Sequence, residues 1–369
     1  MEQNRDRSAL IAMSGGVDSS VAAYLMLKAG YRCMGANMRL HQDAGTGLER
    51  LRTCCTRQDM EDAAGVAEQL GIPFEILVYS IEFQKQVVDK FIRVYEAGGT
   101  PNPCIDCNRF LKFDLLLRDA EARGYHDVVT GHYARTGYDE GTDRWLLTKA
   151  LDAGKDQTYF LYTLTQRQLA RVQFPLGGME KQQVRELAER LGLVNAEKRD
   201  SQDICFVPDG DYAAFMERSA GKAYPAGDFL DLEGRVVGRH KGAVRYTLGQ
   251  RKGLGLSMGE PVYVCGKDMD ANTVTVGPES ALYAREVLVE DLNWIAVEDL
   301  AVPLRVGAKT RSRQREQPAW ISPEAGGRVR IVFDRPQRAV TPGQAAVFYS
   351  GSTVVGGGTI AEVLPGTEI

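Results

Sequence analysis

Ser14-Gly15-Gly16-Val17-Asp18-Ser19-Ser20 follows the apolar run 9–13 and leads into the helical stretch 21–30, which a glycine ends. The order is strand, Gly-Ser loop, helix. Backbone N–H groups at a helix start, with glycines that allow close approach, form a site for phosphate anions. The spacing is not the Walker pattern G-x-x-x-x-G-K-[ST], and no lysine follows the glycines. A serine-capped turn is the plainer reading of such a loop. The whole heptapeptide between a strand and a helix favours the nucleotide site.

Outward from this loop, the first half alternates short apolar runs with amphipathic helices. Residues 61–70 carry Ala63, Val66, Ala67 and Leu70 at helical spacing and stop at Gly71-Ile72-Pro73. Residues 74–78 read as a strand, 83–95 and 110–123 as helices, 128–131 as a buried strand end, and 181–191 as a further helix. This alternation predicts an α/β fold with a doubly wound parallel sheet and ligands at the carboxyl ends of its strands. The pattern fades near residue 210. Residues 221–266 are rich in glycine and short strands. From about Thr273 helices nearly vanish, and Val329, Ile331 and Phe333 alternate along a strand. The expected domains are therefore 1–210, a small central unit over 211–275, and a C-terminal β-barrel over 276–369.

The 369 residues are more than one core usually serves. Apolar content of 44% and charge content of 25% are those of a globular protein. No run of eighteen apolar residues predicts a membrane span, and residues 1–7 lack the apolar core of a secretory signal. Seven cysteines, an odd number, fit functional thiols in a cytoplasmic protein better than a disulfide scaffold. A net charge of −4 argues against diffuse nucleic-acid coating and leaves room for a local basic face.

Two further segments carry chemistry. Pro101-Asn102-Pro103-Cys104-Ile105-Asp106-Cys107-Asn108 lies between predicted helices, and its prolines favour a defined loop. Asp200-Ser201-Gln202-Asp203-Ile204-Cys205-Phe206 ends the α/β pattern. A lone C-x-x-C is weak: a zinc half-site, a redox pair or two packed thiols all fit it. Cys54-Cys55 lack zinc-ligand spacing. Cys33 and Cys265, in apolar runs, read as small buried hydrophobes.

With these segments the chain resembles the PP-loop ATP pyrophosphatases, and among them the bacterial tRNA-specific 2-thiouridylases, the MnmA family. The matching stretches are SGGVDSS, CCTRQDMEDA, TPNPCIDCNRFLKF, TGHYAR, KDQTYFLY, DSQDICFV, HKG, YTLGQRKGLG and TPGQAAVFY, in the family's order. The resemblance implies ATP-dependent 2-thiolation of the wobble uridine, position 34, of tRNA. Adenylation of O2 would make a good leaving group, and sulfur would then attack C2. Cys205 resembles the persulfide carrier and Cys107 the thiol that attacks the persulfide, leaving a Cys107–Cys205 disulfide. Position 104 holds cysteine where some members hold aspartate. Cys104, Cys107 and Cys205 together would suffice for a 4Fe–4S cluster with one open iron, a mechanism that related thiolases use.

The resemblance also implies an ATP site at Ala12, Met13, Ser14, Gly15, Gly16, Val17, Asp18 and Ser19, with Met38 and Gly131, and Mg2+ with Asp18 as a contact. For tRNA it implies Asn102, His132, Lys155, Asp156, Gln157, Arg311, Ser312 and Gln344. Ser312 stands where the family usually has an aromatic residue. Lys309, Arg311, Arg313 and Arg315 alternate, so on a strand they would share one face; a charged edge strand reads the same way. His240, Lys241, Arg245, Arg251 and Lys252 form a second basic cluster. Expected partners are tRNAs of the Lys, Glu and Gln acceptors and a persulfide-delivering relay protein, with no membrane. An amide synthetase of the same class would need no paired thiols, and a non-catalytic tRNA or sulfur carrier would need no intact SGGVDSS. A thiouridylase acting at another tRNA position would differ in motif order.

Overall fold

The computed structural model describes residues 7–40, 57–198, 204–207 and 210–364. Strands β1 (Ser8–Ala12), β2 (Arg32–Arg39), β3 (Phe74–Val78) and β4 (Asp127–Val129) are followed by a hairpin, β5 (Ala134–Asp139) and β6 (Arg144–Lys149), and by β7 (Val172–Gln173). The first sheet has the order β3-β2-β1-β4-β7, all parallel. All five residues of β1 are buried, as expected for a strand covered on both faces. Leu10 pairs with Met34 of β2 on one side and Val128 of β4 on the other.

Helices cover both faces. Helix α1 (Val17–Lys28) and α2 (Arg57–Leu70) pack on one side with Val184 of a later helix; α3 (80–96) and α4 (103–122) pack on the other. The sheet is therefore doubly wound, and the strand order reverses between β1 and β4. The ends of those two strands hold the SGGVDSS loop and Gly131, at the switch point where such sheets bind ligands. The helix over 181–190 is α5 (Lys181–Arg190).

Two helices are wound differently from the amphipathic pattern. In α3 the stretch Gln84–Val88 is π-helical, and in α4 so is Cys107–Leu115. Helix α4 also starts earlier than the sequence suggests. Pro103 is its first residue, where the missing N–H costs nothing, so Cys104 and Cys107 stand on a helix rather than in a loop.

A short helix, α6 (Tyr212–Ala220), opens the central unit. Its strands β8 (Gly227–Leu230), β9 (Val236–His240), β10 (Tyr263–Asp268) and β11 (Thr273–Gly277) form a sheet in the order β10-β11-β8-β9 around Phe229, Val264 and Val274. The last six strands are β12 (Tyr283–Trp294), β13 (Leu304–Lys309), β14 (Gln317–Glu324), β15 (Arg328–Arg338), β16 (Ala345–Ser350) and β17 (Thr353–Leu364). They run β12-β15-β14-β13-β16-β17, and β12 pairs again with β17, closing the barrel. The hairpin β5–β6 of the N-terminal half joins this barrel through Thr148 opposite Thr353.

The basic strand expected over 309–315 is not one. β13 ends at Lys309, and 310–315 turn, because Gln314 Oε1 accepts hydrogen bonds from the backbone N–H and hydroxyl of Thr310. The four cations therefore do not share a strand face.

Candidate active site

The loop after β1 is built by hydrogen bonds that leave the start of α1 open. Ser14 N–H donates to Ser19 Oγ (3.2 Å), and the Ser19 and Ser20 hydroxyls donate to Gly16 O (3.0 and 3.1 Å). Asn195 holds the loop from beside, its Nδ2 donating to Gly15 O at 3.0 Å and to Ser20 Oγ at 2.9 Å. Gly16 stands at the N-cap and has no side chain to occupy the first amides of the helix. Those amides, together with the helix dipole, are an anion site. Gly131 packs so closely that a Cβ on it would meet Asp18 C and Ser19 N at 2.7 Å.

Asp18 is already neutralised. Lys181 Nζ donates to both its carboxylate oxygens (2.7 and 2.8 Å), and the Tyr133 hydroxyl donates to Oδ1 at 2.8 Å. The carboxylate expected to contact magnesium is thus held by Lys181 and Tyr133 in this structure. Among the described residues no three His, Cys, Asp or Glu side chains come together to hold a metal ion. The described residues give no support to a 4Fe–4S cluster, and magnesium would come with the phosphates it neutralises.

A cavity of about 330 Å³ opens between the switch point and α4. It is lined by Ala12, Met13, Ser14, Asp18, Ser19, Met38, Gly131 and His132 on the sheet side, and by Cys104, Cys107 and Cys205 opposite. Cys107 and Cys205 are half-buried and Cys104 is exposed. Cys205 is held by its neighbour Phe206, which is 3% exposed and packs edge-on against Phe83 and Phe91. Asp200–Asp203 of that motif, and Cys54 and Cys55, lie outside the described residues. Cys33 is buried, which pushes its thiol up to about 11 and keeps it protonated. His132 packs between Phe113 and Phe174, and its Nδ1 meets the Thr130 hydroxyl at 2.6 Å. Burial, with the Lys112 charge nearby, holds its pKa well below 6.5, so the ring is neutral.

A second cleft, about 1200 Å³, lies between this domain and the barrel. Gly16, Val17, Lys155, Asp156, Gln157 and Ser312 line it, with Lys112, Lys149, Lys198, Lys309, Arg313 and Arg315. The cations outnumber the carboxylates, Asp18, Asp59, Asp156 and Glu316. This basic cleft is suited to a polyanion.

Other expected tRNA contacts are occupied as struts. Arg311 donates to Ala339 O at 2.8 Å and Thr341 Oγ1 at 3.1 Å. Gln344 Nε2 donates to Thr100 O (2.7 Å) and Pro101 O (3.3 Å), tying the barrel to the loop before α4. Asn102 lines a small void of about 50 Å³ beside that tie rather than the cleft. In the second basic cluster His240 is buried against Phe229 and Tyr246, and Arg245 pairs with Glu217 at 2.7 Å. Only Lys241, Arg251 and Lys252 of that group face outward. Sequence reasoning missed Tyr133, Lys181, Asn195 and Lys198. The last bonds Asp59 and Asp62 beside the loop. Tyr133, Lys181 and Asn195 reach the loop through tertiary packing, and a lysine in a helix's first turn carries no sequence signal of its target.

A doubly wound sheet with an anion loop after β1 and thiols on the nucleotide cavity defines a PP-loop enzyme of the ATP pyrophosphatase class. Family models match the chain throughout: a tRNA methyl transferase HUP domain over residues 7–209, a tRNA methyl transferase PRC-barrel domain over 213–278, and an Aminomethyltransferase beta-barrel domain over 284–360. The chain is 46% identical over 355 residues to the tRNA-specific 2-thiouridylase MnmA of Acetivibrio thermocellus, covering 96% of this chain and 99% of the relative. It is 48% identical over 364 residues to that of Geotalea uraniireducens, covering 98% and 96%. It is 48% identical over 358 residues to that of Heliobacterium modesticaldum, covering 96% and 92%. The chain belongs to the family of tRNA-specific 2-thiouridylases, which are tRNA sulfurtransferases.

Proposed function

We propose that this chain thiolates C2 of the wobble uridine of tRNA, consuming ATP and releasing AMP and pyrophosphate. The observation that carries this is one cavity holding both the nucleotide loop and the thiols Cys107 and Cys205, next to a basic cleft. The family models are described by methyl transfer and the relatives by thiolation. A loop suited to the phosphates of ATP and paired thiols support thiolation.

The uracil O2 attacks the α-phosphorus, the bond to the β-phosphoryl oxygen breaks, and pyrophosphate leaves with the electron pair. The terminal sulfur of a Cys205 persulfide attacks C2, and AMP departs with O2. The Cys107 thiolate then attacks Cys205 Sγ, and the S–S bond breaks with its electron pair left on the C2 sulfur. The product is 2-thiouridine and a Cys107–Cys205 disulfide, which an external dithiol reduces. Magnesium bound to ATP would offset phosphate charge. Lys155, Asp156, Gln157 and Ser312 are proposed contacts to the RNA; Arg311 and Gln344 act on it through the loops they brace, and Asn102 from its place at the start of α4. The uridine must leave its stack to reach the cavity. Acceptors are tRNAs for Lys, Glu and Gln, sulfur comes from a persulfide relay protein, and the site of action is the cytoplasm with its tRNA.

The test is thiolation of unmodified tRNA by the full chain with ATP and a persulfide donor, reading 2-thiouridine and pyrophosphate separately. Cys205→Ser and Cys107→Ser are expected to release pyrophosphate and form no 2-thiouridine. Full thiolation by either variant overturns the assignment of the thiols. Absence of tRNA-dependent pyrophosphate release by the wild type overturns the reaction.

A further inference from the structure

The nucleotide cavity and the basic cleft share four lining residues: Ser14, Asp18, Lys112 and Gln157. These mark where the two spaces meet. A base entering from the cleft and an α-phosphoryl group held in the cavity can react only there. Of the four, Asp18 is neutralised by Lys181, and Ser14 and Gln157 are uncharged. Lys112 is the sole Lys or Arg that lines the cavity among the described residues. No carboxylate among those residues is paired with it, unlike Lys181 and Lys198, which carboxylates hold on either side of the loop.

The winding of α4 puts Lys112 there. Lys112 follows Cys107 by five residues inside the π-helical stretch Cys107–Leu115. On an ordinary α-helix a residue five positions on lies about 140° around the axis, away from Cys107. The i→i+5 bonding of a π turn brings it back over the same side, and such turns concentrate at functional sites. Leu111 and Phe113, on either side, are fully buried in two different cores, which fixes the lysine's direction. Lys112 is also near enough to His132 for its charge to be felt on that ring.

We propose that Lys112 is a catalytic residue of the adenylation step, its ammonium contacting a non-bridging oxygen of the α-phosphoryl group as uracil O2 attacks. The β- and γ-phosphates take the amides at the start of α1, which leaves the α-phosphoryl charge as the one without a fixed donor. Charge also develops on the phosphoryl group when AMP departs in the sulfur step, so the assignment is read on pyrophosphate release, which precedes that step. This assignment rests on the thiolation reading above.

The experiment compares wild type, Lys112→Met and Lys112→Arg as full chains with unmodified tRNA, measuring single-turnover pyrophosphate release and the KM for ATP. Loss of one preorganised charge donor predicts a rate lower by about 10²–10³ in Lys112→Met with KM for ATP changed less than about threefold, and partial recovery in Lys112→Arg. The two diastereomers of ATP bearing sulfur on the α-phosphorus give a second readout. Wild type is expected to prefer one, and Lys112→Met to lose that preference, which a purely structural lysine would not bring about. Pyrophosphate release by Lys112→Met within about threefold of wild type overturns the proposal, as does a raised KM with an unchanged rate. If Lys112→Met does not fold, Lys112→Arg decides: a lowered rate with an altered diastereomer preference supports the contact, and a full rate with an unchanged preference overturns it. A wild type inactive in tRNA-dependent pyrophosphate release sinks the thiolation reading itself, a result distinct from an active wild type with an unimpaired variant.

Discussion

Gly15 sits at φ +75°, and a Cβ on it would lie 2.2 Å from the Asp59 carbonyl oxygen. Both facts forbid a side chain, since the left-handed region and the backbone of α2 each exclude one. Gly15→Ala is expected to lose at least about 2 kcal/mol of stability and over tenfold in ATP affinity. Denaturant unfolding and ATP titration check this; a variant that binds ATP as the wild type does would show that the loop tolerates rebuilding. At His132 the sign of the pH effect follows from burial. The unfolded ring takes a proton below its ordinary value of 6.5, whereas the folded ring does not. Stability is therefore full above that value and falls as pH drops through it. His132→Gln is expected to flatten part of this fall between pH 7.5 and 5.5, read as the unfolding midpoint at each pH; an equal slope in both proteins would refute it. The loop itself was legible in the sequence because its glycines and serines act locally. Lys181, Tyr133 and Asn195 were not, because each reaches the loop from an element more than a hundred residues away, and nothing in their own neighbourhoods marks the target.

At the scale of elements, the turn holding Cys205 is pinned by one aromatic side chain. Phe206 packs edge-on against Phe83 and Phe91 and also meets Phe215, and Cys107 and Cys205 lie against this same cluster. Removing the ring takes away what registers the two thiols. Phe206→Ala is expected to cost about 3 kcal/mol and to lower thiolation more than tenfold, with tRNA-dependent pyrophosphate release kept within about threefold. Equal losses in both steps would mean that the ring supports the whole cavity rather than the sulfur carrier. Elements were legible where period and burial agree, as in β1, α2, α5 and β15. They were misread where one interaction overrides the pattern. Pro103 looked like a helix breaker and is a helix start. The alternating cations after Lys309 looked like a strand, but the Gln314 side chain folds them into a turn. The π winding at Cys107–Leu115 leaves no mark in a 3.6-residue period and redirects Lys112.

At the scale of the whole molecule, the barrel is less an appendage than the other wall of the N-terminal domain. One hydrophobic core contains Ile105 and Phe113 of α4, Ala134 and Leu147 of the β5–β6 hairpin, and Val347, Tyr349 and Val354 of the barrel, all buried. Polar ties cross the same boundary. The Tyr159 hydroxyl donates to Ala345 O at 2.8 Å, Asn293 Nδ2 to Tyr162 O at 2.7 Å, and Thr100 N–H to Pro342 O at 2.9 Å. Cutting the chain after residue 282 would expose that core and orphan the buried Tyr159 hydroxyl. The exposed Arg109–Asp291 pair would add little to this cost, as surface ion pairs do. We therefore expect the fragment 1–282, although it keeps the entire parallel sheet and the anion loop, to lose cooperative thermal unfolding, to bind a hydrophobic dye and to fail to bind ATP. The full chain is expected to do the reverse. Calorimetry and ATP titration on both proteins decide it. A fragment that melts cooperatively and binds ATP would make the domains energetically separable, and the tie from Gln344 to Thr100 would then matter only for placing α4 over the cavity. Loss of both properties would mean that the cleft's two walls fold as one unit, so that the basic cleft and the nucleotide cavity keep a fixed distance before any RNA arrives.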